Sequence, residues 1–380
     1  MPGSRGHILA LDPFLEGSHL DVLEGWTKHT RHQVNIIGHR TGPWHWRMRH
    51  GAISLSREIR SHLARGEKYD VIFTTSMLHL GELKSLLPEL TSIPSVVYFH
   101  ENQLTYPHAK KPDPHLIFNQ FIGSLCAEEI WFNSNFHLQQ YHDALKGWLS
   151  RMPPPSLLPE FQTWKEKSKV VYPGVDLFED FAQPIPAGGP LQLLWSARWE
   201  DDKNPQVFIE YVESLVLAQV ELEVTLMGCQ PSREDPLIKK LINLLGSKLH
   251  LPGFLESRAS MIELQKKFHL HVSTTRHEFF GLSVMESAIS GRAVCLPRQL
   301  SYPELYEALE REDEGILLFH DIREAIAKTI SFNAKRKQGI LKIPSRGSSL
   351  SEFSWTLAAN RFDDPISLLM EKNQNGSSFH

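Results

Sequence analysis

Short apolar runs alternate along this chain with longer stretches in which apolar residues recur every three or four positions, so the pattern switches repeatedly between strand and helix periods. In the first half the strand-like runs are His7 to Leu11, Val34 to Ile37, Val71 to Thr75, Val96 to Phe99, Ile130 to Asn133 and Val170 to Tyr172. In the second half they are Leu191 to Ser196, Leu222 to Met227, Leu249 to Leu251, Leu270 to Thr274 and Ala293 to Leu296. Helices are predicted over Pro205 to Ala218, Pro236 to Gly246, Ser257 to Lys267 and Leu282 to Gly291. Near-continuous apolar strands separated by helices predict parallel sheets covered on both faces. Two such α/β domains would bring the carboxyl ends of both sheets to one crevice, where open sheets bind ligands.

Punctuating residues set the expected boundaries. The run Met152-Pro153-Pro154-Pro155 reads as a surface loop inside the first domain, because a strand-like segment still follows it. The Pro/Gly cluster from Gln183 to Pro190 reads as the linker, giving domains over residues 1–183 and 188–345. A helical stretch over residues 353–372 follows, then a polar tail, residues 373–380, expected to be disordered.

With 380 residues, 41% of them hydrophobic, the chain can bury two ordinary cores. Its net charge of −4 argues against indiscriminate coating of nucleic acid and leaves room only for a focused basic patch. Cys126, Cys229 and Cys295 form no CxxC pair and read as buried thiols of a reducing compartment, without structural zinc. The opening MPGSRGHILALDPF has an apolar run too short for a signal peptide, and no window reaches the roughly eighteen apolar residues of a membrane span. The expectation is a soluble, cytoplasmic protein.

The most specific segment runs from His277 to Glu286, HEFFGLSVME, after a buried strand and into a helix. Glu278 and Glu286 can face different parts of one ligand, Gly281 lets backbone approach it, and the first amides of the helix offer unpaired donors to phosphate. A Glu-rich surface helix start is the bland alternative. Arg198 and Lys203 lie on the loop after the first strand of the second domain, where a departing diphosphate needs neutralising; taken alone, such a loop is more often a solvated surface. In the first domain Gly17 and Ser18, within Phe14 to His19, supply a tight turn for a phosphate or sugar, and without GxGxxG spacing an NAD enzyme is disfavoured. His100, Glu101, Asn102 and Gln103 close another strand and are candidates for the crevice. Trp44, Trp46, Arg47 and Arg49, followed by Arg57 and Arg60, interleave aromatic rings with cations in an expected loop, as a surface that stacks unpaired bases and pairs with phosphates would. The competing explanation is a packed aromatic corner.

The Glu278-x7-Glu286 spacing, the Arg198/Lys203 pair and the strand-end His100 together resemble the retaining GT-B glycosyltransferases. More narrowly, FLEGSH, WHWRMR, YFHENQLTYP, FNSNF, RWEDDKNP, RHEFFG and FSW resemble the tRNA-queuosine α-mannosyltransferases. That resemblance implies a GT-B fold, two Rossmann-like domains facing across a crevice with a C-terminal helix returning to the N-terminal domain. It implies transfer of mannose from GDP-mannose to queuosine in the anticodon loop of tRNA-Asp, with neither metal nor cofactor. Residue by residue, Glu278 would hold sugar hydroxyls, the amides around Phe280, Gly281 and Leu282 would meet sugar or phosphate, and Glu286 would take the ribose. Arg198 and Lys203 would take the diphosphate, and His100 would sit under the sugar. One departure is the short linker, where animal members carry a long polar insertion. Two other readings stay open: a GT-B enzyme with a lipid or small-sugar acceptor, and a catalytically silent RNA-binding module.

Overall fold

A computed structural model describes residues 5–107, 113–176, 185–228, 230–253, 260, 264, 267–344 and 349–376. The chain divides into two units, Met1–Val175 with Phe353–His380, and Asp176–Glu352. In the first unit β1 (His7–Asp12), α1 (Gly17–His29), β2 (Gln33–Gly38), α2 (Trp44–Ala64), β3 (Val71–Thr75), α3 (Leu80–Leu86), β4 (Ser95–Phe99), α4 (Pro114–Leu125), β5 (Glu129–Phe132), α5 (Asn135–Leu149), α6 (Leu158–Glu166) and β6 (Ser168–Val170) follow in order. The six strands are parallel and lie in the order β2-β1-β3-β4-β5-β6. Every residue of β3 and β4 is buried, as strands covered on both faces must be.

The second unit contains β7 (Leu191–Ser196), α7 (Pro205–Leu217), β8 (Leu222–Met227), α8 (Pro236–Leu245), β9 (Leu249–Gly253), β10 (Leu270–Val272), α9 (Leu282–Ile289), β11 (Ala293–Pro297), α10 (Tyr302–Glu310), β12 (Ile316–Phe319) and α11 (Ile322–Lys337). Its strands are also parallel, in the order β12-β11-β10-β7-β8-β9. Each sheet therefore has one place where successive connections leave in opposite directions, between β1 and β3 in the first and between β7 and β10 in the second. A doubly wound sheet opens for ligands at the carboxyl ends of those strands.

The last helix, α12 (Trp355–Gly376), belongs to the first unit. Phe362 packs its ring 5.4 Å from Trp26, 5.6 Å from Tyr98 and 5.6 Å from Trp131, centroid to centroid. The Trp355 ring occupies the space beside Gly25 and Gly174, where an added Cβ would come within 2.0 Å and 2.4 Å of it. Val175 bridges Ser354, which joins the two chain segments of the first unit. Asp363, buried at the same seam, accepts from Trp26 Nε1 at 2.8 Å, Thr30 Oγ1 at 2.6 Å and the Arg31 amide at 2.9 Å.

Several details differ from the expectations above. The segment from Trp44 to His50 opens a helix instead of forming a loop, because Met48, Gly51, Ala52, Leu55 and Ile59 recur at helical spacing and are buried. β12 was not predicted; its run, ILLF, is only four residues between polar stretches. The units part after Val175, ahead of the Pro/Gly cluster, and the guanidinium of Arg336 holds the carbonyls of Pro186, Gly188 and Gly189 to the second unit. α12 continues to Gly376, into the stretch expected to be a disordered tail; residues 377–380 lie outside those described, as does most of the helix predicted over Ser257 to Lys267. Cys126 is exposed at the end of α4, whereas Cys295 is buried and Cys229 lies outside the described residues. No helix among the described residues is long and apolar enough to cross a membrane.

The seam at Asp363 yields a stability prediction. Asp363→Ala leaves the indole N–H of Trp26 buried without an acceptor, which costs roughly 3 kcal/mol, and it should lower the urea midpoint of the fluorescence transition. An unchanged midpoint would show that α12 is not held through this carboxylate.

Candidate active site

The first sheet's switch point is organised by Asp12, the last residue of β1, which is fully buried. One carboxylate oxygen accepts from the Phe14 amide at 2.8 Å and from Thr75 Oγ1 at the end of β3 at 2.9 Å. The other receives His19 Nδ1 at 2.7 Å. The turn between β1 and α1 is thereby fixed, and Gly17 begins the helix at φ +53°, a conformation that suits glycine and is crowded by nothing nearby. Gly17 and Ser18 are exposed at a helix start that no side chain caps.

His100 follows β4, and its ring stacks on that of His19 with centroids 4.1 Å apart and 25° between planes. Tyr98 meets His100 edge-on at 4.7 Å, and Nε2 of His100 is buried with no hydrogen-bond partner. Burial, followed by the charges of His19 and His137, holds the His100 pKa well below the ordinary histidine value. His19 shifts the other way: burial acts to lower its pKa, but the Asp12 carboxylate outweighs burial and the net direction is upward. Asp12, His19 and His100 are the one group among the described residues whose ligand-type atoms lie within 4.8 Å of one another. Both Asp12 oxygens, however, already accept hydrogen bonds.

Three of the residues expected to face an acceptor turn inward. Asn102 donates to Thr105 Oγ1 and bonds His137 Nε2, while its carbonyl oxygen receives the amides of Leu104 and Thr105, so its side chain builds its own turn. The Gln103 side chain is buried and its amide donates to Gln120 Oε1. Arg47 is only 2% exposed; it donates to the His39 carbonyl and to Glu16, and lies 4.2 Å above the Phe14 ring. Helical phase explains this, because Arg47 shares the inward face of α2 with Met48 and Gly51. Glu101 is half-buried. Trp44 and Trp46 stay exposed, Trp46 to 57%, and Arg49 reaches Asp113 at the cap of α4.

In the second unit, the loops after β7 and β10 are tied together at the switch point. Thr275 Oγ1 donates to the Asp202 carbonyl at 3.1 Å, the Arg276 amide donates to the same carbonyl at 2.8 Å, and Thr274 Oγ1 reaches the Asn204 carbonyl at 3.2 Å. Lys203 completes the join: its Nζ lies 3.0 Å from the His277 carbonyl and 3.3 Å from carboxylate oxygens of Asp202 and Glu278. Glu278 is thus aimed by the cation. Gly281 stands at φ +87°, with the Tyr302 ring so near that a Cβ would meet it at 3.2 Å, and it precedes α9 without a side-chain cap. At the start of the helix Ser283 Oγ bonds Ser196 Oγ, at the end of β7, at 2.9 Å. Phe279 and Phe280 are buried, Glu286 is nine-tenths buried on α9, and Arg198 is exposed with Glu200 at 3.3 Å.

Sequence reasoning missed Asp12, and it placed His19 only within a motif. The available signal was an acidic residue ending an apolar strand, followed by a histidine two turns later. In the second unit it missed Asp202 and Tyr302, whose roles arise from contacts distant in sequence.

The comparisons with known proteins agree with this geometry. Residues 7–175 match the family described as tRNA-queuosine alpha-mannosyltransferase N-terminal, and residues 190–333 match group 1 glycosyl transferases. A tRNA-queuosine alpha-mannosyltransferase of Drosophila melanogaster is 31% identical over 320 residues, 80% of this chain and 83% of the relative. Among solved structures, a glycosyltransferase from Rickettsia africae superposes with a TM-score of 0.65 at 15% identity, covering 97% of this chain and 99% of its own. The catalytic domain of starch synthase IV from Arabidopsis thaliana superposes with a TM-score of 0.67 at 11% identity, over 97% and 100%. Those two likenesses establish the GT-B fold, and the match to the N-terminal family together with the insect relative establishes descent: the chain belongs to the tRNA-queuosine α-mannosyltransferase family of glycosyltransferases.

Proposed function

We propose that this enzyme moves mannose, with retention, from GDP-mannose to the queuosine nucleoside in the anticodon loop of tRNA-Asp, in the cytoplasm. The observation that carries the donor half is the uncapped start of α9 at Gly281 beside Lys203. Open helix amides and a fixed cation stabilise charge that develops on a departing diphosphate without reorganising. Arg198 joins Lys203 there, Glu278 accepts from sugar hydroxyls, and the amides of Phe280, Gly281 and Leu282 meet sugar or phosphate. Glu286 takes the ribose. Gly17 and Ser18 offer the second uncapped helix start, and His100 serves the reacting sugar.

No metal is needed on this reading, because cations and amides carry the charge. The glycosyl carbon loses its phosphate oxygen as the acceptor hydroxyl attacks from the same face, and the departing phosphate oxygen takes the hydroxyl proton. Glu278 positions the sugar instead of bonding to it covalently. For the acceptor, exposed Trp46 and Arg49 on α2 suit stacking of an unpaired base beside a phosphate contact. Arg47 supports that face from below.

Incubating the protein with queuosine-containing tRNA and GDP-mannose, with EDTA present throughout, should add one hexose mass to the nucleoside. Transfer only to a lipid or free sugar would overturn the acceptor, and dependence on added Mg²⁺ would overturn the metal-free donor site.

Arg198→Ala and Lys203→Ala should each lower turnover at least about tenfold, since a lost cation at a developing charge costs roughly 2 to 4 kcal/mol. Near-normal turnover in both would remove the diphosphate role.

Trp46→Ala combined with Arg49→Ala should weaken tRNA binding at least about tenfold, as loss of one stacked base costs about 1 to 3 kcal/mol. Affinity for GDP-mannose should not change. A folded double mutant that binds tRNA normally would move the acceptor surface away from α2.

A further inference from the structure

The pair formed by Asp12 and His19 has no part in the donor and acceptor roles assigned above, yet it is the most completely enclosed polar arrangement beside His100. Its three acceptor contacts leave Asp12 no freedom: the Phe14 amide, Thr75 Oγ1 and His19 Nδ1 approach from the turn, from β3 and from α1. His19 is buried, is hydrogen-bonded on one nitrogen, and is flanked by the Phe14 ring at 5.2 Å on one side and His100 on the other. A ring so held cannot flip without breaking a buried charge-assisted hydrogen bond. His100 lacks any hydrogen bond at Nε2, so the contacts that orient its imidazole are the His19 stack and the edge of Tyr98.

We propose that Asp12 and His19 are positioning residues for His100, the carboxylate fixing the His19 ring and that ring fixing the plane and protonation of His100. The pair works as an oriented cation against the face of a neutral imidazole. His19 is favoured as the imidazolium because Asp12 outweighs the effect of burial, and Glu101 acts in the same sense while Arg47 opposes it. The charge in turn disfavours a second proton on His100, adding to burial and to His137 across from α5, while Tyr98 beside it is held neutral by burial. His100 therefore keeps an uncharged ring at neutral pH. A neutral imidazole can exchange hydrogen bonds with a sugar hydroxyl, whereas a cation at that place would oppose the positive charge that builds on the glycosyl carbon. The inference rests on the glycosyl-transfer reading only for what His100 faces.

The test is therefore made first on the unliganded full chain, by following the histidine ring resonances with pH. In the native protein the His19 ring should titrate above the ordinary histidine value and the His100 ring should stay neutral across the whole range from about pH 5.5 to 8. His19→Gln keeps a donor to Asp12 and removes the charge; Asp12→Asn keeps the shape of the acceptor and removes its charge. In each folded variant the His100 titration and the acid limb of kcat should both move upward, with kcat down roughly tenfold or more and KM for the donor little changed. A merely structural pair would leave both pH positions where they were. The proposal is overturned if the two rings of the native protein titrate together near the ordinary value, or if the His100 titration is unmoved in a folded variant. A silent activity assay with the expected ring titrations would instead count against the substrate reading alone.

Discussion

One buried carboxylate governs the first unit. Asp12 sits where the strand order reverses, and its two oxygens gather the turn after β1, the end of β3 and the first turn of α1. A buried charge of this kind is costly unless every lone pair is used and an opposite charge lies close. His19 satisfies the second condition. The same need for compensation that makes the group tolerable also makes the local geometry rigid, and rigidity is what a reacting centre requires of its surroundings.

The second unit solves the equivalent problem with a cation. Lys203 projects from the loop after β7 into the loop after β10, where it meets a backbone carbonyl and two carboxylates. Breaking the join would free Glu278 and the turn that leads to Gly281. In both units, then, the switch point of a parallel sheet supplies the opening, and one ion fixes the loops that border it. The ions have opposite sign because their partners do: donors and a histidine in the first unit, carboxylates and a backbone carbonyl in the second.

The architecture was largely legible in the sequence because periodicity reports on burial. Strands such as Val71–Thr75, Leu191–Ser196 and Leu222–Met227 were readable to the residue, since an apolar run bounded by polar turns has one interpretation in a parallel sheet. The four-residue β12 was too short to stand out. Site residues adjacent to a glycine or to a strand end were also visible, Gly281 and His100 among them. What could not be read was phase and long-range contact. Trp44 to His50 looked like a decorated loop because two tryptophans and two arginines dominate it, although Met48, Gly51, Ala52 and Leu55 already carried a helical stripe. Asn102 and Gln103 read as polar residues after a strand, but a turn that enters a buried region must satisfy its own amides: the Asn102 side chain accepts from Leu104 and Thr105, and Gln120 accepts from the Gln103 amide.

The inward turn of Arg47 alters how an overall acidic protein can meet RNA. Its guanidinium binds the His39 carbonyl and Glu16 and covers the Phe14 ring, which ties the start of α2 to the turn that carries Gly17. The cation is therefore spent on structure, and the outward face of the same helix carries Trp46 and Arg49, then exposed Ile53, then Arg57 and Arg60. Arg60 reaches the Leu86 carbonyl and Arg49 reaches Asp113, so two of those cations are held at defined positions. A short row of fixed charges headed by an aromatic ring can engage a few phosphates and one unpaired base, a demand far smaller than that of coating a duplex. On the proposed acceptor reading net charge has little bearing, because screening confines each contact to about 8 to 10 Å. What would matter on that reading is the local order of cations along α2, set by which residues the helix turns inward.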